Sequence, residues 1–337
     1  VAGVRENERR FTLADVGGRR VIRFGDGVRG EVPDLLRSHG FDGPYALLTT
    51  PRWRDAVPAL VEGAAVVLDV PPGGVPEASA AVRDEVARRN VVALGGGRVV
   101  DSAKAIAGAD GVDCAAIPTT LSGAELTGFH RLPAGADGGA MVRPSLVVAD
   151  PALMASQPMP ALAASAMNAL AHAVEALYTP LANPVAGAAA LRAAELIAGA
   201  LLAGDEPDRE AVALGALLAG YASGMTGYAV HHVVCQTIVR VGGTPHAETN
   251  ATMLPHVVRL MSERAPAVIG ELEQAVGGAD AFDRLAARAG TSGLRSIGFD
   301  PEKIENVVSA VAGRAELRNT PDPPGEDELR RLVESAL

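Results

Sequence analysis

A chain of 337 residues, 48% of them apolar and 21% charged, is long enough for two hydrophobic cores and too apolar to stay disordered. A formal net charge of −10 opposes a phosphate backbone, which excludes nucleic acid as the expected partner. Two cysteines, Cys114 and Cys235, cannot make a disulfide framework and suit a reducing, cytoplasmic setting.

The opening VAGVRENERRF lacks the basic-then-apolar order of a secretion signal. Short β-type runs and helical patterns then alternate. VIRFG (21–25), YALLTT (45–50), AAVVLDV (64–70), NVVALGGG (90–97), CAAIPTT (114–120) and SLVVAD (145–150) read as strands. VPDLLRSHG (32–40), WRDAVPALVEG (53–63) and EASAAVRDEVARRN (77–90) read as helices between them. Apolar strands alternating with helices imply a parallel sheet covered on both faces. After DPALMASQPMPA (150–161) the β-type runs nearly stop, and Ala/Leu-rich helical sequence follows. The expected domains are therefore residues 1–155, α/β, and 156–337, all α. The most apolar stretch, LRAAELIAGALLAG (191–204), is too short and too charged at one end to span a bilayer, so no membrane partner is expected.

VVALGGGRVVDSAKAIA (91–107) reads as strand, then Gly95, Gly96 and Gly97, then helix. Glycines at such a turn let a phosphate approach the backbone, and the helix N-terminus offers free N–H groups. A tight turn alone would use them equally well. Asp101 and Lys104 follow, three apart, so they can face one ligand or pair with each other. The spacing differs from the G-x-G-x-x-G dinucleotide fingerprint. Lys104 and Lys303 are the only lysines of the chain. In IPTTLSGAELT (117–127), Thr119, Thr120 and Ser122 put hydroxyls at the sheet's C-terminal edge, where ligands of α/β folds bind or where a loop caps itself. Thr50, ending the YALLTT strand, joins this candidate set. Arg52 and Arg54 follow it and can meet a ribose 2′-phosphate or lie solvated on the surface.

SAMNALAHAVEAL (165–177) is mostly apolar, yet Asn168 and His172 sit four apart on one helix face. Segment 230–256 adds His231, His232, His246 and His256. If three segments converge, Asn168, His172, His232 and His246 can hold a divalent ion or an anionic substrate. His231 would point about 100° from His232 on the helix and is a neighbour rather than a ligand. His39, His130 and His256 read as hydrogen-bonded core or surface residues.

The ordered set GGGRVVDSAK, IPTTLSGAE, DPALMASQP, SAMNALAHAVEALY, HHVVCQ…GGTPHAE…LPH and NTPDP resembles the iron-containing alcohol dehydrogenase superfamily, most closely its maleylacetate reductase branch, over roughly residues 20–337. The resemblance implies a dehydroquinate synthase-like fold: an α/β dinucleotide-binding domain followed by a helical domain. It implies NAD(H) or NADP(H) as cofactor, with Gly95, Gly96, Gly97, Arg98, Asp101, Lys104, Thr119, Thr120, Ser122 and Thr50 at the cofactor. It implies reduction of a small carboxylated conjugated carbonyl compound, maleylacetate to 3-oxoadipate in that branch, by a homodimer. In its metal-dependent members an aspartate and three histidines hold iron or zinc. The matching positions here are Asn168, His172, His232 and His246, so an amide replaces the acid and the divalent metal is open. His232 and His246 are the expected donors to a developing oxyanion, with His172 and Asn168 orienting substrate. Arg98 stands where the family has a serine, and Gln236 where it has a histidine near the nicotinamide. Two other readings stay open on those departures: a metal-dependent alcohol dehydrogenase or secondary-metabolite tailoring enzyme of the same superfamily, and a nucleotide-binding protein without redox activity.

Overall fold

The computed structural model describes residues 8–14 and 20–337, and the chain divides into two compact units between Ser156 and Gln157. The first residues of the opening segment, 1–7, lie outside the described part, and so does that part of the secretion-signal reading.

The N-terminal unit runs β1 (Arg10–Ala14), β2 (Val21–Gly25), α1 (Val32–Ser38), β3 (Tyr45–Thr49), α2 (Pro58–Gly63), β4 (Ala64–Asp69), α3 (Val75–Val86), β5 (Val91–Gly95), α4 (Gly97–Asp110), β6 (Cys114–Pro118), β7 (Leu146–Ala149) and α5 (Pro151–Met154). The sheet order is β1-β2-β7-β6-β5-β3-β4, with only β1 antiparallel to its neighbour. Strand period sets the two cores. Leu47, Val92, Leu94 and Ile117 pack with Val32, Leu36 and Leu60 on one face, while Ala46, Leu48, Ala93 and Ala116 pack with Val82, Val100 and Ile106 on the other. The chain moves outward from β3 to β4, then returns past β3 to β5 and β6. The order reverses between β3 and β5, so a ligand crevice is expected at their C-terminal ends.

All six β-type runs form strands, and β1 adds a seventh that the sequence reading lacks. It pairs with β2 from Arg10 opposite Gly25 to Ala14 opposite Val21. WRDAVPALVEG is not one helix. A short 3-10 turn covers Pro51–Ala56, Val57 leaves the helical region at φ −141°, and α2 begins at Pro58. Proline disfavours helical backbone in the residue before it, which breaks the helix there.

The C-terminal unit is helical: α6 (Met159–Ala176), α7 (Pro184–Leu202), α8 (Arg209–Thr226), α9 (Val230–Gly242), α10 (His246–Arg264), α11 (Pro266–Val276), α12 (Ala281–Arg288), α13 (Ile304–Ala312) and α14 (Glu326–Ser335). Small residues let helices approach closely; a Cβ on Gly215 of α8 would stand 2.7 Å from Ile197 of α7. The membrane reading needs a correction. The helix containing 191–202 begins earlier, at Pro184, and its 19 residues are long and apolar enough to cross a bilayer by length and composition. It packs against α6, α8 and α11, and half of it is buried.

One long loop, 119–145, connects β6 to β7 and is fastened by cations reaching backbone carbonyls. Lys104, wholly buried on α4, donates to Asp101 Oδ1 at 2.8 Å, Ala124 O at 2.9 Å and Phe129 O at 2.8 Å. Arg20 donates to the carbonyls of Glu125 and Leu126 at 3.2 Å each. Between them the Glu125 carboxyl is fully buried, neither oxygen has a hydrogen-bond partner among the described residues, and burial pushes its pKa up to about 7. A carboxyl whose folded pKa is raised stabilises the fold fully below its unfolded pKa and loses that contribution as pH rises through the folded value. The loss therefore falls between the ordinary value of 4.5 and about 7. Glu125→Gln should abolish this dependence. Thermal melts at pH 5 and pH 8 should show the variant gaining on the parent by roughly 3 kcal/mol across that interval; a constant difference between the two proteins would contradict a titrating Glu125.

Candidate active site: a glycine cradle and a histidine cluster

The candidate residues fall into two clusters, one in each unit. In the N-terminal unit, β5 ends at Gly95 and Gly96 caps α4 with extended backbone and no side-chain cap. None of the three glycines has positive φ, so their role is space rather than conformational freedom. A Cβ on Gly96 would lie 3.0 Å from Thr120, one on Gly97 3.0 Å from Ser122, and one on Gly95 2.7 Å from Val99. Thr120 and Ser122 thus sit directly on the glycine run. The Thr119 N–H donates to Gly95 O at 3.0 Å, while its buried hydroxyl has no partner among the described residues. At the reversal point Thr49 Oγ1 donates to Leu94 O at 2.8 Å, tying the ends of β3 and β5 together beside half-buried Thr50. Arg98 is exposed in the first turn of α4, where its cation adds to the positive helix end.

Two sequence readings change here. Lys104 does not face a ligand: its three donors are spent on Asp101 and two carbonyls, so it fastens the loop, and Asp101, 28% exposed, is the member left at the surface. Arg54 is not available to a 2′-phosphate, because its guanidinium is bidentate to Asp69 at 2.6 and 3.1 Å. Arg52 lies over the Trp53 ring, 5.0 Å from its centroid. An uncapped helix N-terminus, a turn with no room for a Cβ, and the unpartnered Thr119 hydroxyl at the C-terminal end of β6 fit the pyrophosphate of a dinucleotide.

In the C-terminal unit, α6 carries Asn168, His172 and Glu175 at i, i+4 and i+7, one face of one helix. The first turn of α9 brings His231 and His232 against that face. The His172 and His232 rings stack at 4.0 Å and 15°, and Tyr228 lies 6.0 Å from His232. Glu175 is fully buried. Its Oε2 lies 2.5 Å from His232 Nδ1, and its Oε1 accepts the His231 and His232 backbone N–H groups at 2.7 and 3.3 Å. Burial and His246 both lower the His232 pKa, so the imidazole is neutral. Its Nε2 is buried, and no partner faces it among the described residues.

His246 opens α10 and is exposed. Asn250 Nδ2 donates to the His246 carbonyl at 2.7 Å and approaches its Nε2 at 3.4 Å, which favours the proton on Nδ1. Asn250 Oδ1 accepts from His231 Nε2 at 2.9 Å, so His231 is turned away, edge-on to His232 at 75°. Gln236, on α9, accepts from Arg314 at 2.9 Å; Arg314 also donates to the Tyr228 hydroxyl at 3.1 Å and pairs with Glu316. The terminal NTPDP segment has a local task. Asn319 holds the Tyr228 carbonyl at 2.9 Å, and the Thr320 hydroxyl accepts the Val230 N–H at 3.1 Å, so this segment sets the entry of α9. His39, His130 and His256 make hydrogen bonds to Leu35, Val142 and Ser335.

Glu175 is the functional residue that the sequence reading missed. Its signal was present, one turn beyond His172 on the same face in a helix with no other acid. Asn168 is buried with its Oδ1 unpartnered among the described residues. The donor set does not fit a tightly held divalent ion. Asn168 supplies no charge, the His172 and His232 rings are parallel rather than convergent, and no group of three His, Cys, Asp or Glu among the described residues is arranged to hold a metal.

The model of the "Iron-containing alcohol dehydrogenase" family matches residues 23–158, and that of the "Fe-containing alcohol dehydrogenase family, C-terminal" matches residues 162–337. The chain belongs to the iron-containing alcohol dehydrogenase family. Maleylacetate reductase 1 of Rhodococcus opacus is 36% identical over 73% of this chain and 72% of its own. Maleylacetate reductase 1 of Cupriavidus pinatubonensis is 31% identical over 98% of both. The crystal structure of maleylacetate reductase from Agrobacterium tumefaciens superposes with a TM-score of 0.83, covers 97% of each chain and is 28% identical. The protein is an NAD(P)-dependent oxidoreductase with the fold of this family.

Two measurements check the clusters. Gly96→Val should displace Thr120 and fill the cradle, weakening NAD(P)H binding by more than tenfold in fluorescence titration while circular dichroism stays native; an unchanged dissociation constant would remove the cradle from the cofactor. Asn168→Asp restores the hard anionic donor and should raise zinc or iron content, by elemental analysis of chelator-free preparations, above that of the parent. Equal metal content in parent and variant would mean that residue 168 does not control metal retention.

Proposed function

We propose that this enzyme uses NAD(P)H to reduce a small, carboxylated, conjugated carbonyl compound, with maleylacetate the first substrate to test. The observation that carries the reading is the full-length likeness to maleylacetate reductases combined with a histidine cluster whose acid position is the amide Asn168. Bound reduced nicotinamide supplies a hydride to the carbon β to the ketone. The chain's own groups handle the charge and proton that follow. Charge develops on the ketone oxygen, and His246 Nδ1–H is the donor suited to it. His232 Nε2, proposed as the bare nitrogen, accepts one O–H of a water whose other proton goes to the carbon α to the ketone, and solvent returns a proton to the hydroxide left. Arg314, already paired with Glu316, holds the Tyr228 hydroxyl and Gln236 in place beside the cluster. The uncapped α4 N-terminus and Thr119 hold the cofactor pyrophosphate.

The reading extends to a cytoplasmic homodimer with no nucleic-acid or membrane partner. Two free, buried cysteines support the cytoplasmic setting, the net charge of −10 supports the absence of a nucleic-acid partner, and the exposed edge strand β1, with Leu13 45% exposed, supports self-association.

Loss of absorbance at the reduced-nicotinamide band, followed with maleylacetate and a panel of enones, ketones and aldehydes, tests the assignment. Maleylacetate should be turned over, and His246→Ala should lower kcat on the order of a hundred- to a thousandfold, the effect of deleting one oxyanion donor. Cofactor affinity should hardly change, because the glycine cradle belongs to the other unit. A parent enzyme that binds NADH or NADPH yet turns over no member of the panel would sink the reading.

A further inference from the structure

We infer that Glu175 is a positioning residue that dictates which nitrogen of His232 carries the proton. Its kinetic consequence rests on the proposed reductase reading; its structural consequence does not. Glu175 Oε1 accepts the backbone N–H groups of His231 and His232 at 2.7 and 3.3 Å. These are first-turn donors of α9 with no partner inside the helix, and they can never accept. Oε1 must therefore remain an acceptor. Burial raises the Glu175 pKa, and against it the neighbouring His231, the backbone N–H groups at the start of α9 and the positive helix end favour the carboxylate. The second oxygen, 2.5 Å from His232 Nδ1, thus meets the imidazole as an acceptor and fixes the ring proton on Nδ1.

The ring has no easy alternative. His172 stacks on it at 4.0 Å, His231 meets it edge-on at 5.2 Å, and Tyr228 closes in at 6.0 Å. A ring flip would place carbon against the carboxylate and forfeit the bond. The result is a buried imidazole whose Nε2 presents a lone pair, with the tautomer written by a residue on another helix.

Glu175→Gln tests this almost isosterically. The amide oxygen must stay with the two α9 N–H groups, so the amide NH2 falls on His232 Nδ1 and donates to it. The imidazole proton then moves to Nε2. A residue that merely supported packing would leave the tautomer alone. Long-range 1H–15N correlation spectra of 15N-histidine-labelled full-length protein read the tautomer, with His232→Gln assigning the signal. The parent should show His232 protonated at Nδ1 and bare at Nε2 at neutral pH, and Glu175→Gln should show the reverse. In the maleylacetate assay the variant should lose kcat ten- to a hundredfold with NADH affinity unchanged. A parent His232 protonated at Nε2, or a folded variant with an unaltered tautomer, overturns the inference. If Glu175→Gln fails to fold, the parent spectrum alone decides. A reversed tautomer in an enzyme inactive toward the whole panel would uphold the role of Glu175 and overturn only the substrate reading.

Discussion

A buried carboxylate that satisfies a helix end is the constraint on which the catalytic unit depends. Glu175 lies in the interior, where an isolated charge would be costly. Two backbone N–H groups, an imidazole N–H and the positive end of α9 offset that cost together. Because one oxygen serves α9 and the other serves His232, the angle between α6 and α9 and the orientation of the imidazole are set by the same side chain. The segment before α9 is held independently by Asn319 and Thr320, so the helix enters from a fixed direction before Glu175 caps it.

The nucleotide unit solves a different problem with the opposite material. Its ligand surface is defined by missing atoms. Gly95, Gly96 and Gly97 adopt ordinary backbone angles, and what they supply is the absence of Cβ atoms against Val99, Thr120 and Ser122. A tight loop over 119–145 is needed to bring those hydroxyls there. That explains why the one buried lysine of the unit is spent on Ala124 and Phe129 carbonyls instead of on a ligand. What stays open at the start of α4 is backbone N–H groups, hydroxyls and the exposed Arg98.

Much of this was legible in the sequence, for stated reasons. Strands buried on both faces are near-continuous apolar runs, so β3, β5, β6 and β7 stood out, and their ends located the glycines and threonines. β1 did not stand out because it is an edge strand whose Arg10, Thr12 and Leu13 are exposed, which erases the apolar run. The Val57–Pro58 break was written in the sequence but masked by the helical period on either side. Asn168, His172 and His232 were found because polar groups on an apolar helix are conspicuous. Glu175 obeys the same logic and was overlooked, since a helix-terminal acid usually faces solvent. The commitments of Lys104 and Arg54 could not be read at all: Asp69 and the carbonyls they engage lie at no local spacing.

Asn168 gains its meaning from the acid two turns away on the same helix. Asn168 carries no charge, burial keeps His232 neutral, and the buried carboxyl of Glu175 stands one layer back. Placing a second carboxylate at 168 without a cation would set two like charges in a low-dielectric interior on one helix face, each raising the pKa of the other. A site with an aspartate at 168 therefore calls for a divalent cation to balance it. With an amide there, Glu175 alone is balanced by the α9 N-terminus and the imidazole N–H, and the cluster holds together electrostatically on its own. The substitution thus shifts the source of order in the site from a central ion to hydrogen bonds between helices α6 and α9, which makes the placement of a single proton on His232 matter.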